Sequence, residues 1–359
     1  MDFLIELPFC EVVFKGAQER HKEYFKSLFF SGKKNYLKPK YKISVQFENV
    51  RVDTLKSLFL EEDTMAKNGS LFMLDTRKNK VEINFDLFKD NHLSIKVDPD
   101  FDLYFLYNTV IEPLLIIWAA KYGILYVHSS AIANKDGAYV FPAWRHTGKT
   151  SSIFSLAREK ISFMGDDFCV LKDSMVYLYP KHINIFSYNF ESYPWLYKKL
   201  PLSLSLRIKL SVYLKKILFW ISQNLSGALS KVFYRLSELA EISTNTKVTP
   251  FQLGLKTKDV APLTRVRFIT KAGVASGEKK LTLSEIKQKL LAVTVYEIRE
   301  FLDIYQKYKY LYPKQSNTVI ESFDENFAGA VEKNLRQAFE THIALLPNKD
   351  AYYDKSTQI

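Results

Sequence analysis

Only two cysteines, Cys10 and Cys169, occur in 359 residues. That scarcity excludes a disulfide framework and a Cys-x-x-Cys metal knuckle, and it points to a reducing compartment, with the cytoplasm as the expected location. His21, His92, His182 and His342 show no metal-ligand spacing with one another or with cysteine, so no zinc site is expected. Long hydrophobic runs are missing too. The most apolar stretches, residues 113–120 and 217–221, fall short of the ~20 residues a membrane-spanning helix needs. The opening MDFLIELPFCEVVF carries Asp2, Glu6 and Glu11 and no basic region before its apolar residues, so it does not read as a signal peptide. There is no internal repeat and no low-complexity segment.

What is present is the composition of a folded protein: 47% apolar and 25% charged residues exclude wholesale disorder and collagen-like repeats. The length suits about two domains, or one with an insertion. Lys and Arg number 51 against 39 acids, a net charge of +12. Such a balance attracts phosphates, nucleic acid, anionic lipid or an acidic partner without choosing among them.

Residues 1–100 alternate in short runs (CEVVF, YKISVQF, SLFMLD, VEINFDL, HLSIKV) between Gly, Asn, Asp and Lys clusters, which predicts a mostly antiparallel β-rich region. Residues 101–194 begin with apolar positions at helical spacing from Leu103 to Trp118, where Pro113 predicts a break or a new first turn. There follow the strand ILYVHSSAIA, the strand AYVF, the loop PAWRHT, the helix GKTSSIFSLARE, and the strands ISFMGDDFCVL, MVYLYP and HINIF. Strand, loop, helix, strand is the α/β order in which phosphate sites form at helix N-termini.

Residues 195–249 read as an insertion of two helices broken near residues 224–227, followed by a linker over 243–250. In residues 250–347, PLTRVRFIT predicts a strand, 284–308 a long helix, 324–340 another helix and HIALLP a last strand. Residues 348–359 read as a loose tail.

The sharpest local signal is Thr147-Gly148-Lys149-Thr150 between a predicted strand and a predicted helix. In such a loop backbone N–H groups cradle a polyphosphate, lysine neutralises β/γ oxygens and the hydroxyl ligates Mg²⁺. The usual first glycine is Ala143 here. If that position needed a positive φ, alanine would cost about 1 kcal/mol and reshape the loop. Gly165-Asp166-Asp167 stands at the end of the next predicted strand. Parallel strands would bring that end to the phosphate edge, where one carboxylate can hold Mg²⁺ and the other can accept a hydroxyl proton. Read alone, the same dipeptide is an ordinary solvated turn.

Together His128-Ser129-Ser130-Ala131, AYVF, the GKT loop, MGDDFCVL and VYLYPKHINI resemble the catalytic domain of HPr kinase/phosphorylase. The block is also similar to the P-loop nucleotide-binding core of phosphoenolpyruvate carboxykinase. The resemblance covers residues 123–187, with PLTRVRFIT and HIALLP as later strands of the same fold. It implies an α/β, P-loop-containing kinase core in two parts, 101–194 and 250–347, around the helical insertion. It implies ATP and Mg²⁺ as cofactors and transfer of the γ-phosphoryl group to a hydroxyl. Ala143, Thr147, Gly148, Lys149, Thr150 and Ser151 fall on the nucleotide-binding loop, Thr150 and Asp166 on the metal positions, and Asp167, Asp166 and His128 on the catalytic ones. His128 reads equally as a partly buried histidine bonded to backbone. Ser151 replaces the glutamate of bifunctional HPr kinases, and their downstream Val-Arg-Gly-like stretch is missing, so the acceptor is not carried over. It is open between a protein or peptide serine and a small molecule. A nucleotide-gated binding module without fast chemistry, and a small-molecule enzyme nearer to carboxykinase, are the rival readings.

Arg145 and His146 in the loop, and Lys181 after VYLYP, are second-rank candidates, each read first as a solvated side chain. The insertion carries eight basic residues from Lys198 to Arg235 and no acid between Glu191 and Glu238. Three readings fit residues 206–237: a buried hairpin with a solvated basic rim, a groove for an acidic peptide, or an in-plane contact with an anionic membrane surface that would make the protein peripheral to a membrane. Nucleic acid is not expected, because no recognition motif accompanies the charge. A homo-oligomer remains open.

Overall fold

The computed structural model describes residues 1–30, 38–52, 57–88, 91–145, 147–157, 160–242, 245–272, 278–335 and 338–344. It is a mixed α/β architecture of two large sheets, each with both parallel and antiparallel pairs, and helices.

The first sheet holds eight strands in the order β1-β2-β3-β8-β7-β6-β5-β4. They are β1 (Phe3–Leu7), β2 (Cys10–Lys15), β3 (Tyr41–Phe47), β4 (Leu58–Glu61), β5 (Thr64–Lys67), β6 (Ser70–Leu74), β7 (Lys80–Asn84) and β8 (His92–Val97). Strand alternation sets the faces: in β8, Leu93, Ile95 and Val97 are buried while His92 and Lys96 are exposed. Most pairs are antiparallel as expected, but β3 pairs in parallel with both β2 and β8. A parallel pair needs a crossover, and helix α1 (Glu19–Lys26), absent from the sequence reading, lies in the segment between β2 and β3 with Phe25 and His21 inward.

This sheet shares its core with the helices and strands beyond it. Tyr41 Oη donates to the Leu115 carbonyl at 2.7 Å, and Phe9 meets Tyr177 edge-on at 4.8 Å. One apolar cluster runs from Leu7 through Trp118 to Leu335.

The stretch containing Pro113 does not break, and the second expectation holds, since Pro113 stands in the first turn of α3. Helix α2 (Leu103–Phe105), a π-helical turn over Leu106–Ile111 and helix α3 (Glu112–Lys121) run on as one. A widened turn ahead of Pro113 relieves the clash its ring would make with a preceding carbonyl. Among the described residues Leu103–Lys121 is the one helix long and apolar enough to cross a membrane, and 72% of that window is buried inside the fold, as for a core helix.

The second sheet is built on β9 (Leu125–Ala133), buried along its whole length. β10 (Ala138–Pro142) pairs antiparallel along residues 129–133 of β9. β11 (Ser162–Gly165) and β12 (Phe168–Lys172) also pair antiparallel with β9, over 131–133 and 125–128. The parallel neighbours expected at the phosphate edge are therefore corrected: β10 and β11 run the same way, but with an antiparallel strand between them. Their C-terminal ends still reach one edge. β13 (Met175–Tyr177) leads to β17 (Val260–Ala272), which pairs in parallel with β10 and with β19 (Ala338–Ala344). β16 (Lys256–Thr257) and β18 (Glu278–Leu281) complete this sheet.

Three boundaries move. The linker over 243–250 contains β15 (Thr246–Val248), paired with β14 (Ile183–Ile185) as a two-stranded ribbon. The helix expected over 324–340 is α10 (Phe323–Asn334), because the Asn334 amide turns back to the carbonyls of Ala330 and Gly123. The last strand starts earlier than HIALLP, at Ala338. The tail 348–359 lies outside the described residues.

Between β14 and β15 come α5 (Ser187–Ser192), a 3₁₀ turn over Pro194–Lys198, α6 (Leu202–Asn224) and α7 (Gly227–Ile242). The break near 224–227 is where expected, but the reading of a buried hairpin is overturned. Leu210 is 69% exposed, Trp220 66% and Leu239 61%, while Ser205, Ser222 and Ser237 are buried. Apolar residues stand on more than one face of α6, so only one set of them can meet the core. Helices α8 (Leu283–Leu311) and α9 (Thr318–Glu321) complete the order, and α8 lies where the sequence placed it.

Candidate functional site

A cavity of about 360 Å³ opens at the shared edge of β10 and β11. Its walls hold Lys149, Thr150, Asp167, Lys181, Asn184, Lys247 and Glu297.

The loop 143–148 turns from β10 into α4 (Lys149–Leu156). Gly148 caps the helix with φ 109°, a backbone conformation that a β-carbon disfavours. Ala143 has no positive φ; it is buried and bridges to Ile269, so the strain expected from losing a first glycine does not arise. Thr147 Oγ1 donates to the Trp144 carbonyl at 2.6 Å, and the Ser151 carbonyl accepts from Tyr193 Oη at 3.2 Å. Lys149 is buried, its Nζ donating to the carbonyls of Trp144 at 3.3 Å and Ala143 at 3.5 Å. Burial lowers its ammonium below the ordinary lysine value, with Asp167 and Asp166 opposing.

Gly165-Asp166-Asp167 is the step by which the chain passes from β11 to β12 along β9. A β-carbon at Gly165 would stand 2.3 Å from the Phe168 carbonyl oxygen, so only glycine fits. Asp167 takes φ 66°, which Asp tolerates better than most residues, and its carbonyl accepts from Ser129 N at 3.0 Å. The bulge sends the two carboxylates to different partners. Asp166, 1% exposed, accepts from Thr150 Oγ1 at 3.0 and 3.1 Å. Burial, then the charge of Asp167, pushes its carboxyl up to about 7.

Asp167 opens to the cavity and accepts from Asn184 Nδ2 at 3.3 Å, with Lys181 Nζ 3.7 Å away. Burial alone would raise its carboxyl; Lys181, with His128 and Lys149, outweighs that and holds it below the usual carboxylate range.

Lys181 is not the solvated side chain the sequence suggested. Its Nζ donates to Glu112 Oε1 at 2.9 Å, and the same oxygen accepts from Tyr107 Oη at 2.7 Å. Burial alone would lower the lysine, but Glu112 and Asp167 hold it above its ordinary value. The π-helical turn places Tyr107 and Asn108 on this wall.

Arg145 is likewise paired: Nε donates to Glu297 Oε1 at 2.8 Å and Nη2 to Oε2, a two-pronged contact across to α8. His128 lies 6% exposed with Nδ1 3.5 Å from Glu297, and no hydrogen bond reaches that nitrogen, so the backbone-bonded alternative is set aside. Burial, then Lys149, lowers it to about 4, which leaves the ring neutral at pH 7. His146 lies outside the described residues.

The structure thus brings His128, Gly148, Lys149, Thr150, Ser151 and Asp167 to one cavity with Asp166 directly behind Thr150, whereas Ala143 and Thr147 line a neighbouring cavity of about 230 Å³. Sequence reasoning missed Glu112, Asn184, Lys247 and Glu297, which come from α3, β14, β15 and α8. Asn184 lies in the VYLYPKHINI segment but carries no motif role there, and for the others a lone acid inside a predicted core helix (Glu112) was the one available signal.

Among the described residues no group of three or more His, Cys, Asp or Glu side chains is placed to hold a metal. Thr150 and Asp166 nevertheless suit Mg²⁺, which keeps several waters and takes one or two protein oxygens beside phosphates. A buried carboxylate destabilised in its charged form is the kind of group a cation would stabilise. No family model matches the chain, and no curated protein matches it in sequence.

Proposed function

We propose that this protein transfers the γ-phosphoryl group of ATP to a hydroxyl, carried by a protein or peptide serine or by a small molecule. The observation that supports this most is the Thr150–Asp166 pair beside Lys149, with an ionised Asp167 open to the same cavity. A binding-only pocket has less need of a second carboxylate opposite the phosphate loop.

In this reading Lys149 gives up the carbonyls of Ala143 and Trp144 for β- and γ-phosphate oxygens, and the first N–H groups of α4 cradle the chain of phosphates. Thr150 and Asp166 would hold Mg²⁺, which supplies charge neutralisation at those oxygens. Asp167 accepts the proton of the attacking hydroxyl while the bond from the γ-phosphorus to the bridging oxygen breaks and ADP leaves. Lys181 and Asn184 keep the Asp167 carboxylate ionised and aimed into the cavity.

The test uses ATP binding together with phosphate release and transfer to peptide and metabolite pools. Lys149→Ala should weaken ATP binding at least tenfold, ~1.4 kcal/mol. Asp167→Asn should keep Mg-ATP binding and lose transfer by about 10²-fold or more. Unchanged ATP affinity in Lys149→Ala overturns the phosphate-loop reading. Tight ATP binding with no transfer by the wild type favours a nucleotide-gated module instead.

A further inference from the structure

Of the 25 large apolar side chains exposed among the described residues, fourteen lie between Leu202 and Leu239. They are ordered. In α6, Leu206, Leu210, Tyr213, Ile217 and Trp220 follow one another at steps of four and three, which puts them on one helical face. In α7, Leu229, Val232, Leu236 and Leu239 do the same. The opposite side of α6 meets the fold through Ser205, Ile208 and Val212, so the outward stripe is a second apolar face that stays exposed among the described residues.

Charge says what covers it. Arg207 lies on one flank of the α6 stripe and Lys209 on the other, while Lys216 pairs with Glu191 and α7 sets Lys231 and Arg235 against Glu238 and Glu241, so the positive excess of the hairpin sits on α6. A second copy of the chain would bring the same positive charge to the contact, which disfavours self-association through this face. An acidic peptide would need a groove; among the described residues the cavities of about 360, 230 and 540 Å³ are lined by other segments, and the hairpin presents its apolar residues as exposed stripes. Leucine-rich stripes edged by basic residues, with Trp and Tyr among them, match the chemistry of a bilayer interface with anionic headgroups.

We infer that the α6–α7 hairpin is a docking surface for an anionic lipid bilayer, lying in the headgroup plane with its leucine stripes down. This does not depend on the phosphotransfer reading, since ATP binding and lipid binding are measured separately. The full chain is sedimented with vesicles of phosphatidylcholine alone and with about 30% phosphatidylserine. It should pellet with the second and not the first, and binding should weaken at least tenfold as salt rises from about 0.1 to about 0.5 M. Leu210→Ser/Ile217→Ser/Leu229→Ser should weaken it by at least tenfold at low salt, with circular dichroism and ATP affinity unchanged. A second measurement does not rely on that variant folding. Brominated phosphatidylserine vesicles should quench wild-type tryptophan fluorescence and should lose most of that effect in Trp220→Phe. Absence of pelleting, equal pelleting with both vesicles, equal quenching in Trp220→Phe, or a concentration-dependent dimer that alone responds to the serine substitutions would each overturn the proposal.

Discussion

The cavity and the α6–α7 hairpin break the same rule in opposite directions. In the cavity Asp166, Lys149 and Lys181 are charged side chains taken out of water, while on the hairpin leucines stand in water and serines are packed inside. Buried charges are costly unless paired, and here they form a chain: Thr150 to Asp166, then Asp167, Lys181, Glu112 and Tyr107. Exposed leucines have no such internal remedy. The contrast separates the two regions: the cavity balances its cost by local pairing, whereas the hairpin's leucines stay exposed among the described residues.

If that contrast is sound, the largest effect should come from the centre of the charge chain. Lys181→Met leaves Glu112 and Asp167 facing each other without a cation, and it should destabilise the fold by about 3 kcal/mol in chemical denaturation. It should also let the Asp167 carboxyl rise, so the acid limb of the pH–rate profile moves to higher pH. An unmoved limb would mean that Lys181 does not govern Asp167.

Asp166 gives a smaller effect of opposite sign. Its carboxyl sits near 7 in the fold and ordinarily at 3.8, so the native state holds the extra proton between those values. Stability of the nucleotide-free protein should therefore fall as pH rises from about 4 to about 7. Asp166→Asn, which cannot ionise, should be more stable than wild type at pH 8, by on the order of 2 kcal/mol, and should lose that advantage at pH 4. An advantage independent of pH would break the assignment.

Smallest of all should be the hairpin's response. Leu229→Ser or Leu239→Ser removes a side chain already about 60% exposed, and the midpoint of unfolding should shift by no more than about 0.5 kcal/mol in solution. A loss of several kcal/mol would show that these leucines are packed and that the two regions do not differ as described.

The elements that meet in the cavity differ in how far the sequence disclosed them. Thr147 to Thr150 and Gly165 to Asp167 are contiguous, and each carries its own geometry: a left-handed glycine before a helix, a bulge that only glycine permits at its first residue. Glu297 was illegible because it is a single acid on a helix far along the chain from the group it meets, Arg145, 152 residues away, and Glu112 stood out only as a lone acid in a core helix, with Lys181 69 residues distant. Lys181 looked solvated because a lone lysine at a strand junction usually is. On α6 the helical period places Leu210, Leu214 and Ile217 together, but these are exposed and the fold buries Ile208 and Val212 instead, because periodicity alone does not say which apolar face turns inward. The π-helical turn likewise leaves no mark in a hydrophobic pattern that continues through it.

The β14–β15 ribbon has a topological consequence. Ile185 faces Thr246 and Ile183 faces Val248, so an excursion of about sixty residues leaves and returns at one point of the fold. Paired antiparallel backbones are ~5 Å apart, and the entropy of closing a loop grows only logarithmically with its length. The core therefore experiences two adjoining ends, whatever hangs between them. Asn184 and Lys247, each on one strand of that clasp, keep their spacing at the cavity wall while the helices beyond are free to lengthen, shorten or change sequence.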